Sequence, residues 1–294
     1  MNETNKSVRK ITPLEEMNVI DDFLFYEMLY DEEHGKEACR LILERVLKCS
    51  IGNIQYTAQK MIPGISETGQ GIRLDAYITE DVCDSEGRPD INVYDLEPDK
   101  RSYKKKSLPK RCRYYSDLID VQIVNSGIKY EKLPRIVIIF ILSYDPFDQG
   151  DMYYEAGTML KTHPDIPYDD GIRRIYLYTE GKLKKDADDN DKKLKNLLQY
   201  IRRSTEENVT DETTRRLDEL VKATKHKKDI GVKYMKSWEL ESELREEGRE
   251  EERANTEAER RRADAAESRA DAAEAQVDEM KAELERYKAK FGII

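Results

Sequence analysis

The residues best suited to chemistry are acidic and fall in two short segments. Gly71-Ile72-Arg73-Leu74-Asp75 leads into an apolar stretch; after a polar turn comes Val93-Tyr94-Asp95-Leu96-Glu97-Pro98-Asp99-Lys100. Both read as β-strands. Side chains alternate faces along a strand, so Asp95, Glu97 and Asp99 point the same way. If the two strands are neighbours, Asp75 comes within a few ångströms of Glu97. Carboxylates that close repel and raise each other's pKa unless a cation sits between them. Hard oxygen ligands with room for water suit Mg2+ or Mn2+. Such an ion lowers the pKa of bound water and offsets the charge on a phosphodiester under attack. The same spacing also fits strand-end carboxylates facing solvent, and Pro98 is expected to end the strand's ladder before Asp99.

A cluster of cations follows directly. Lys104, Lys105, Lys106, Lys110, Arg111 and Arg113 put six positive charges in ten residues, with Tyr114 and Tyr115 next in line. Such a cluster can grip the backbone phosphates flanking a scissile bond, and tyrosines such as Tyr115 can stack on bases. The alternative is a solubilising loop whose tyrosines pack inward. Other chemistries are poorly served. The chain has no GxxxxGK[ST], GxSxG or HExxH, and His163 stands in a loop without a nucleophile beside it. Cys39, Cys49, Cys83 and Cys112 form no CxxC pair, as expected of free thiols in a reducing cytoplasm.

The elements that must position these residues follow from periodicity. Asp21-Asp22 caps a helix carrying Phe23, Phe25, Met28 and Leu29, and a second helix is predicted from Lys36 to Lys48. Strands are expected at Ile54–Ala58, Ile72–Ile78 and Ile91–Glu97, with polar turns around Gly64–Gly71 and Asp84–Pro89. A helix from Leu108 to Asn125 precedes the apolar strand Arg135–Ser143, and Ile172–Thr179 is a fifth strand. This order predicts an α/β fold, a mixed sheet flanked by helices.

From Asp189 the pattern is helical, interrupted near Ser204–Asp211 and Lys227–Gly231. Ala263, Ala266, Ala270, Ala273, Val277, Met280, Leu284, Tyr287 and Phe291 recur at spacings of 3 and 4, the seam of a coiled coil. The expected divisions are a polar arm at 1–17, a core at 18–185, a helical extension at 186–235 and a charged coiled-coil tail at 236–294. The 294 residues carry 51 basic and 61 acidic side chains, net charge −10. An acidic chain does not hold nucleic acid by overall charge, so a binding site must be a local patch. The longest apolar run, Ile136–Leu142, is a buried strand, far short of a membrane span. The first sixteen residues lack the apolar stretch of a secretory signal, and a cytoplasmic protein is expected.

Taken in order, these segments resemble the Rpn family of recombination-promoting nucleases, also described as PD-(D/E)XK nuclease family transposases. Asp21-Asp22-Phe23-Leu24-Phe25 is similar to the family's opening (N/D)DFxF. Gln59-Lys60 and Arg73-Leu74-Asp75-Ala76-Tyr77 resemble its QK and (V/I)RLDVY strands, and Val93–Glu97 its YxxE. Leu108–Asp120 resembles LPxRxRYYxxxID, and Ile139–Phe147 resembles VIFIxxxDPF. Tyr234-Met235 and Arg245–Glu251 are similar to its YM and EGREEG tail. The likeness runs from about residue 18 to 252.

The resemblance implies a restriction-endonuclease-like αβββαβ core, followed here by C-terminal helices and a long coiled-coil helix, and metal-dependent DNA cleavage. Asp75 and Glu97 would hold Mg2+ (or Mn2+ or Ca2+). The third signature position, Lys in the superfamily and commonly Gln in this family, is Asp99, which would serve as another metal ligand or a base. Lys60 is the candidate substitute for the missing cation, and Asp22 the extra acid. Lys100, one residue off, would face the opposite side. The expectation is a DNA endonuclease that self-associates through its C-terminal helix and does not enter membranes. The alternative is a catalytically inactive nuclease fold that binds DNA or protein.

Overall fold

A computed structural model describes residues 12–64, 71–83, 87, 89–124, 127 and 129–292. The start of the predicted polar arm, most of the turn before Gly71, most of the Asp84–Pro89 turn and the helix end at Asn125 lie outside the described residues. The chain forms two compact units, Met1–Tyr234 and Met235–Ile294.

The first unit is built on a six-stranded sheet. In chain order its strands are β1 (Asn53–Ile62), β2 (Ile72–Cys83), β3 (Pro89–Asp99), β4 (Arg135–Leu142), β5 (Tyr153–Ala156) and β6 (Ile172–Tyr178). Their spatial order is β1-β2-β3-β4-β6-β5. The first three pair antiparallel, β4 joins β3 and β6 joins β4 in parallel, and β5 closes the far edge antiparallel. The predicted mixed sheet is present, with one strand more than the sequence showed. β5 is four residues long and half-exposed, so it leaves neither an apolar run nor alternation to detect.

Helices cover both faces. On one lie α1 (Asp22–Tyr30), α2 (Glu32–Leu47), α4 (Asp189–Arg202) and α5 (Glu212–Lys225), sharing a core with Ile54, Ala76, Ile78, Tyr94 and Leu96. On the other, α3 (Leu108–Val124) packs Leu108, Cys112, Leu118 and Ile119 against Val93, Ile138 and Phe140. α2 begins earlier than predicted, because Asp31 caps it by accepting the His34 N–H at 3.1 Å. Gly35 in its first turn is a close approach: a Cβ there would stand 2.4 Å from the Tyr56 hydroxyl.

Two irregularities shape the centre of the sheet. The β1–β2 ladder passes from Ala58↔Ala76 to Lys60↔Leu74 and omits the Gln59–Asp75 pair. Gln59 there has φ 49°, in the left-handed region. The strands change faces across this point. Ile54, Ala76 and Ile78 face the four-helix layer, but Ile62, Ile72 and Leu74 face the α3 side.

Pro98 is the second irregularity, and it acts on one side only. The Asp99 carbonyl accepts the Ser143 N–H at 3.2 Å and so points to β4; by alternation the Pro98 nitrogen points to β2. Lacking an N–H, it cannot extend the β2 ladder, which stops at Ala76↔Leu96. The parallel ladder continues through Pro98↔Ile141 to Asp99↔Leu142. Asp99 therefore remains in the strand, contrary to the expectation that proline would release it.

The second unit is the rest of α6 (Ile230–Phe291), a 62-residue helix. Its seam residues Val277, Met280, Leu284, Tyr287 and Phe291 are exposed.

A left-handed backbone costs a non-glycine residue roughly 1–2 kcal/mol, and more when it is β-branched. Gln59→Val is expected to destabilise the protein by about that amount in urea denaturation, and Gln59→Gly to leave it unchanged or firmer. Equal stability of the two variants would contradict the strained geometry.

Candidate active site

Asp75, at the face change of β2, lies one step beyond the last β2–β3 pair and therefore beside Glu97. Its N–H, left out of the β1 ladder, donates to Glu97 Oε1 at 2.8 Å. Asp95, Glu97 and Asp99 share one face of β3, and all three are almost wholly buried. The expected meeting of Asp75 and Glu97 on adjoining strands is thus realised.

Asp95 is the residue the sequence reasoning passed over. Its carboxylate is completely buried and neither oxygen receives a hydrogen bond. Its close polar neighbour is the Glu97 carboxylate, and two carboxylates can be joined only through a proton or a cation. The signal was available, since Asp95 alternates with Glu97 between apolar neighbours, but its burial depends on α3 lying over it.

The electrostatics follow from burial and like charge. Burial first, then Asp22, pushes Asp75 up to about 6, against the pull of Arg73, Arg101 and Arg111. Burial and then the Asp75 charge raise Asp95 well above the ordinary carboxylate range. Burial, then Asp95 and Asp75, does the same to Glu97. Burial and like charge make the ionised forms costly, so these acids hold their protons more readily, and a divalent cation that displaced those protons would offset the cost. The unsatisfied Asp95 oxygens and the Asp75–Glu97 pair are the donor chemistry such an ion requires. Among the described residues no three His, Cys, Asp or Glu side chains are gathered into a ready-made metal cluster. An ion here would draw on the carboxylate pair and complete its shell with water or phosphate oxygens.

Asp99 departs from its expected part. Its Oδ1 accepts the Arg101 N–H at 2.7 Å and Arg101 Nε at 2.9 Å, and Oδ2 accepts Arg111 Nη2 at 2.5 Å. Burial would raise its pKa, but the two arginines overcome this and hold it below the ordinary value. Both oxygens that were expected to add a metal ligand are occupied by guanidinium groups. Lys60, the expected substitute, lies over the Tyr77 ring with its ammonium 3.4 Å from the centroid, and burial lowers its pKa. Lys100 forms an ion pair with Asp21, turned away from Asp99 as alternation requires.

The predicted basic patch divides along α3. Lys104, Lys106, Lys110 and Arg113 are exposed, and Lys105 pairs with Asp148 at 2.6 Å. Arg111 and Tyr115, one helical turn apart, face the sheet. Arg111 lies over the Phe140 ring at 4.8 Å, and the Tyr115 ring packs against Phe140 with centroids 6.3 Å apart. Tyr115 is therefore packed inward instead of offering a face to a base. Tyr103, in the 3-10 segment Ser102–Ser107, is the exposed aromatic ring of this region.

A profile of PD-(D/E)XK nuclease family transposases matches residues 19–226. The chain belongs to that family. The match begins just before α1 and ends after α5, so it takes in the carboxylate site, α3 and both C-terminal helices of the first unit. Comparison with curated proteins and with solved structures yields no match. Membership supports a nuclease-like function, and nucleases of this family generally use divalent ions. Among the described residues no helix is long and apolar enough to cross a membrane.

The raised carboxyl pKa values fix the sign of the pH dependence. Between the ordinary 3.8 and about 6 the folded Asp75 holds a proton that the unfolded chain has released. Stability contributed by these groups is therefore present below the unfolded value and lost as pH rises through the folded one. In chelator, the melting temperature is expected to be higher at pH 5.5 than at pH 8, and Mn2+ to stabilise more at pH 8. A melting temperature that rises steadily with pH in chelator would refute the buried acid cluster.

Proposed function

We propose that this protein is a divalent-metal-dependent DNA endonuclease of the transposase-like Rpn type, hydrolysing phosphodiester bonds at the Asp75–Glu97 site. The observation that carries this reading is the Asp75 N–H bonded to the Glu97 carboxylate, beside the unsatisfied Asp95. Asp75 and Glu97 would hold Mg2+, Mn2+ or Ca2+. The ion, when bound, supplies positive charge to the phosphate and makes water a stronger nucleophile. The chain's own groups do the rest. Lys104, Lys106, Lys110 and Arg113 hold flanking phosphates by charge, independent of sequence. Tyr103 beside Lys104 offers the ring for stacking on a base. Tyr77 is the cross-strand partner of Asp95 and Phe140 that of Glu97, with Tyr115 packed on Phe140, so aromatic rings border the carboxylates. Such a protein would work in the cytoplasm.

Asp75→Asn and Glu97→Gln are each expected to lower metal-dependent nicking of supercoiled plasmid by about a thousandfold or more, with unchanged circular dichroism. Wild-type protein that nicks with none of Mg2+, Mn2+ and Ca2+ would defeat the proposal.

One observation favours a second reading, in which the fold binds DNA or protein without cutting. Asp99, with both oxygens held by arginines, is neither lysine nor glutamine. Duplex affinity in wild-type protein that never nicks would decide for it.

We also infer that the tail pairs with a second copy of this chain. Its exposed seam of Val277, Met280, Leu284, Tyr287 and Phe291 has the coiled-coil period and basic and acidic residues flank it. Sedimentation velocity should find an oligomer that the double variant Met280→Asp/Leu284→Asp dissociates; a monomeric wild type would remove the inference.

A further inference from the structure

We propose that Arg111 binds the phosphate under attack, and that Asp99 is a positioning residue which holds Arg111 there instead of ligating the ion. The inference deepens the nuclease reading and rests on it. Two negatively charged partners, a carboxylate cluster and a phosphodiester, must be brought together. Two carboxylates would offset much of an ion's charge, and charge on the phosphate oxygens grows during attack, so a further cation at the phosphate is called for. Lys60 lies on Tyr77 and Lys100 on Asp21, so neither is directed at the pair.

Arg111 meets the requirement by its placement. Its guanidinium lies 4.8 Å from the Phe140 centroid, and Phe140 is the partner of Glu97 across the β3–β4 ladder. Its charge acts on Asp75, Asp95 and Glu97 alike. Yet among the described residues its side chain bonds to Asp99, through Nη2 at 2.5 Å, and its Nε is buried without a partner. Were Arg111 present only to neutralise the acids, the unpartnered oxygens of Asp95 would be its natural target. Instead it is tethered at one corner, through Nη2, and its planar fork is the donor geometry suited to phosphate. Arg101 completes the tether from the opposite oxygen of Asp99, fixing that carboxylate in turn.

The test uses the full-length protein with Arg111→Gln, Arg111→Met, Asp99→Asn and the double variant Asp99→Asn/Arg111→Gln, each checked by thermal melting. Arg111→Met keeps the stem against Phe140 and serves where Arg111→Gln does not fold. Plasmid nicking should fall about a hundredfold in either Arg111 variant. Calorimetric binding of Mn2+ alone should be retained or tightened, because a repelling charge has gone. Asp99→Asn should lower nicking by about tenfold to a hundredfold and add little on top of Arg111→Gln, the non-additivity of residues acting as a unit. Nicking by both Arg111 variants within about twofold of wild type would overturn the proposal. So would Asp99→Asn weakening Mn2+ binding as much as Asp75→Asn, since Asp99 would then be a ligand.

Should the wild type nick nothing, the nuclease reading fails, and Arg111 is judged on binding instead. Affinity for a short DNA duplex in Ca2+ should drop more for Arg111→Gln than for Lys110→Gln, whose side chain is exposed on the same helix. Equal losses would show that Arg111 has no special contact with phosphate.

Discussion

The constraint that orders this molecule is the cost of keeping several carboxylates out of water within one layer of a sheet. Asp95, Glu97 and Asp99 are almost completely buried on one face of β3, with Asp75 alongside. An ionised carboxylate in such a place is costly unless paired, and like charges add to the cost. The protein resolves this unequally. Asp99 receives two guanidiniums and stays charged, below its ordinary pKa, against the burial that would raise it. Asp95 and Glu97 receive none directly and are pushed upward. Asp99 is thus held as a charge by its two arginines, whereas Asp95 and Glu97 hold their protons more readily.

That division depends on backbone details as much as on side chains. Because Pro98 ends pairing only on the β2 side, β3 continues along β4 far enough to carry Asp99 under Arg111. Because Gln59 takes a left-handed conformation, the Asp75 N–H leaves the ladder and reaches Glu97. Strained backbone of this kind persists where surrounding structure overdetermines it. Here the overdetermination comes from two cores, one against α1, α2, α4 and α5, the other against α3. The face change at Gln59 and Asp75 is where β1 and β2 pass from serving one core to serving the other.

Much of this was legible in the sequence, and the limits have physical causes. The pairing of Asp75 with Glu97 followed from two strand patterns and an intervening turn, which are local signals. Asp95 was visible on the same face, but its isolation from every donor is a property of α3 packing over it. The attachment of Arg111 to Asp99 joins residues whose spacing suggests no contact until a helix is laid across a sheet. Reading the six cations as one patch treated α3 as uniformly exposed; its period puts Lys110 and Arg113 outward and Arg111 and Tyr115 inward. β5 was missed because an edge strand of four half-exposed residues has no alternation to read.

The inward turn of Arg111 also bears on how an acidic chain can work on an acidic polymer. At long range a net charge of −10 opposes DNA. Screening confines that opposition to roughly 8 Å at physiological ionic strength, so what matters at contact is the local order of charge. Lys104, Lys106 and Lys110 are exposed, Arg111 is half-buried and bonded to Asp99, and Asp95 and Glu97 are buried. On the proposed reading, a phosphate would meet the exposed cations first and the buried acids only where an ion joins the two. An arrangement with the acids at the rim would repel the backbone before any ion could act. On that reading, the burial of Asp95 and Glu97 would place the repulsive groups behind the attractive ones.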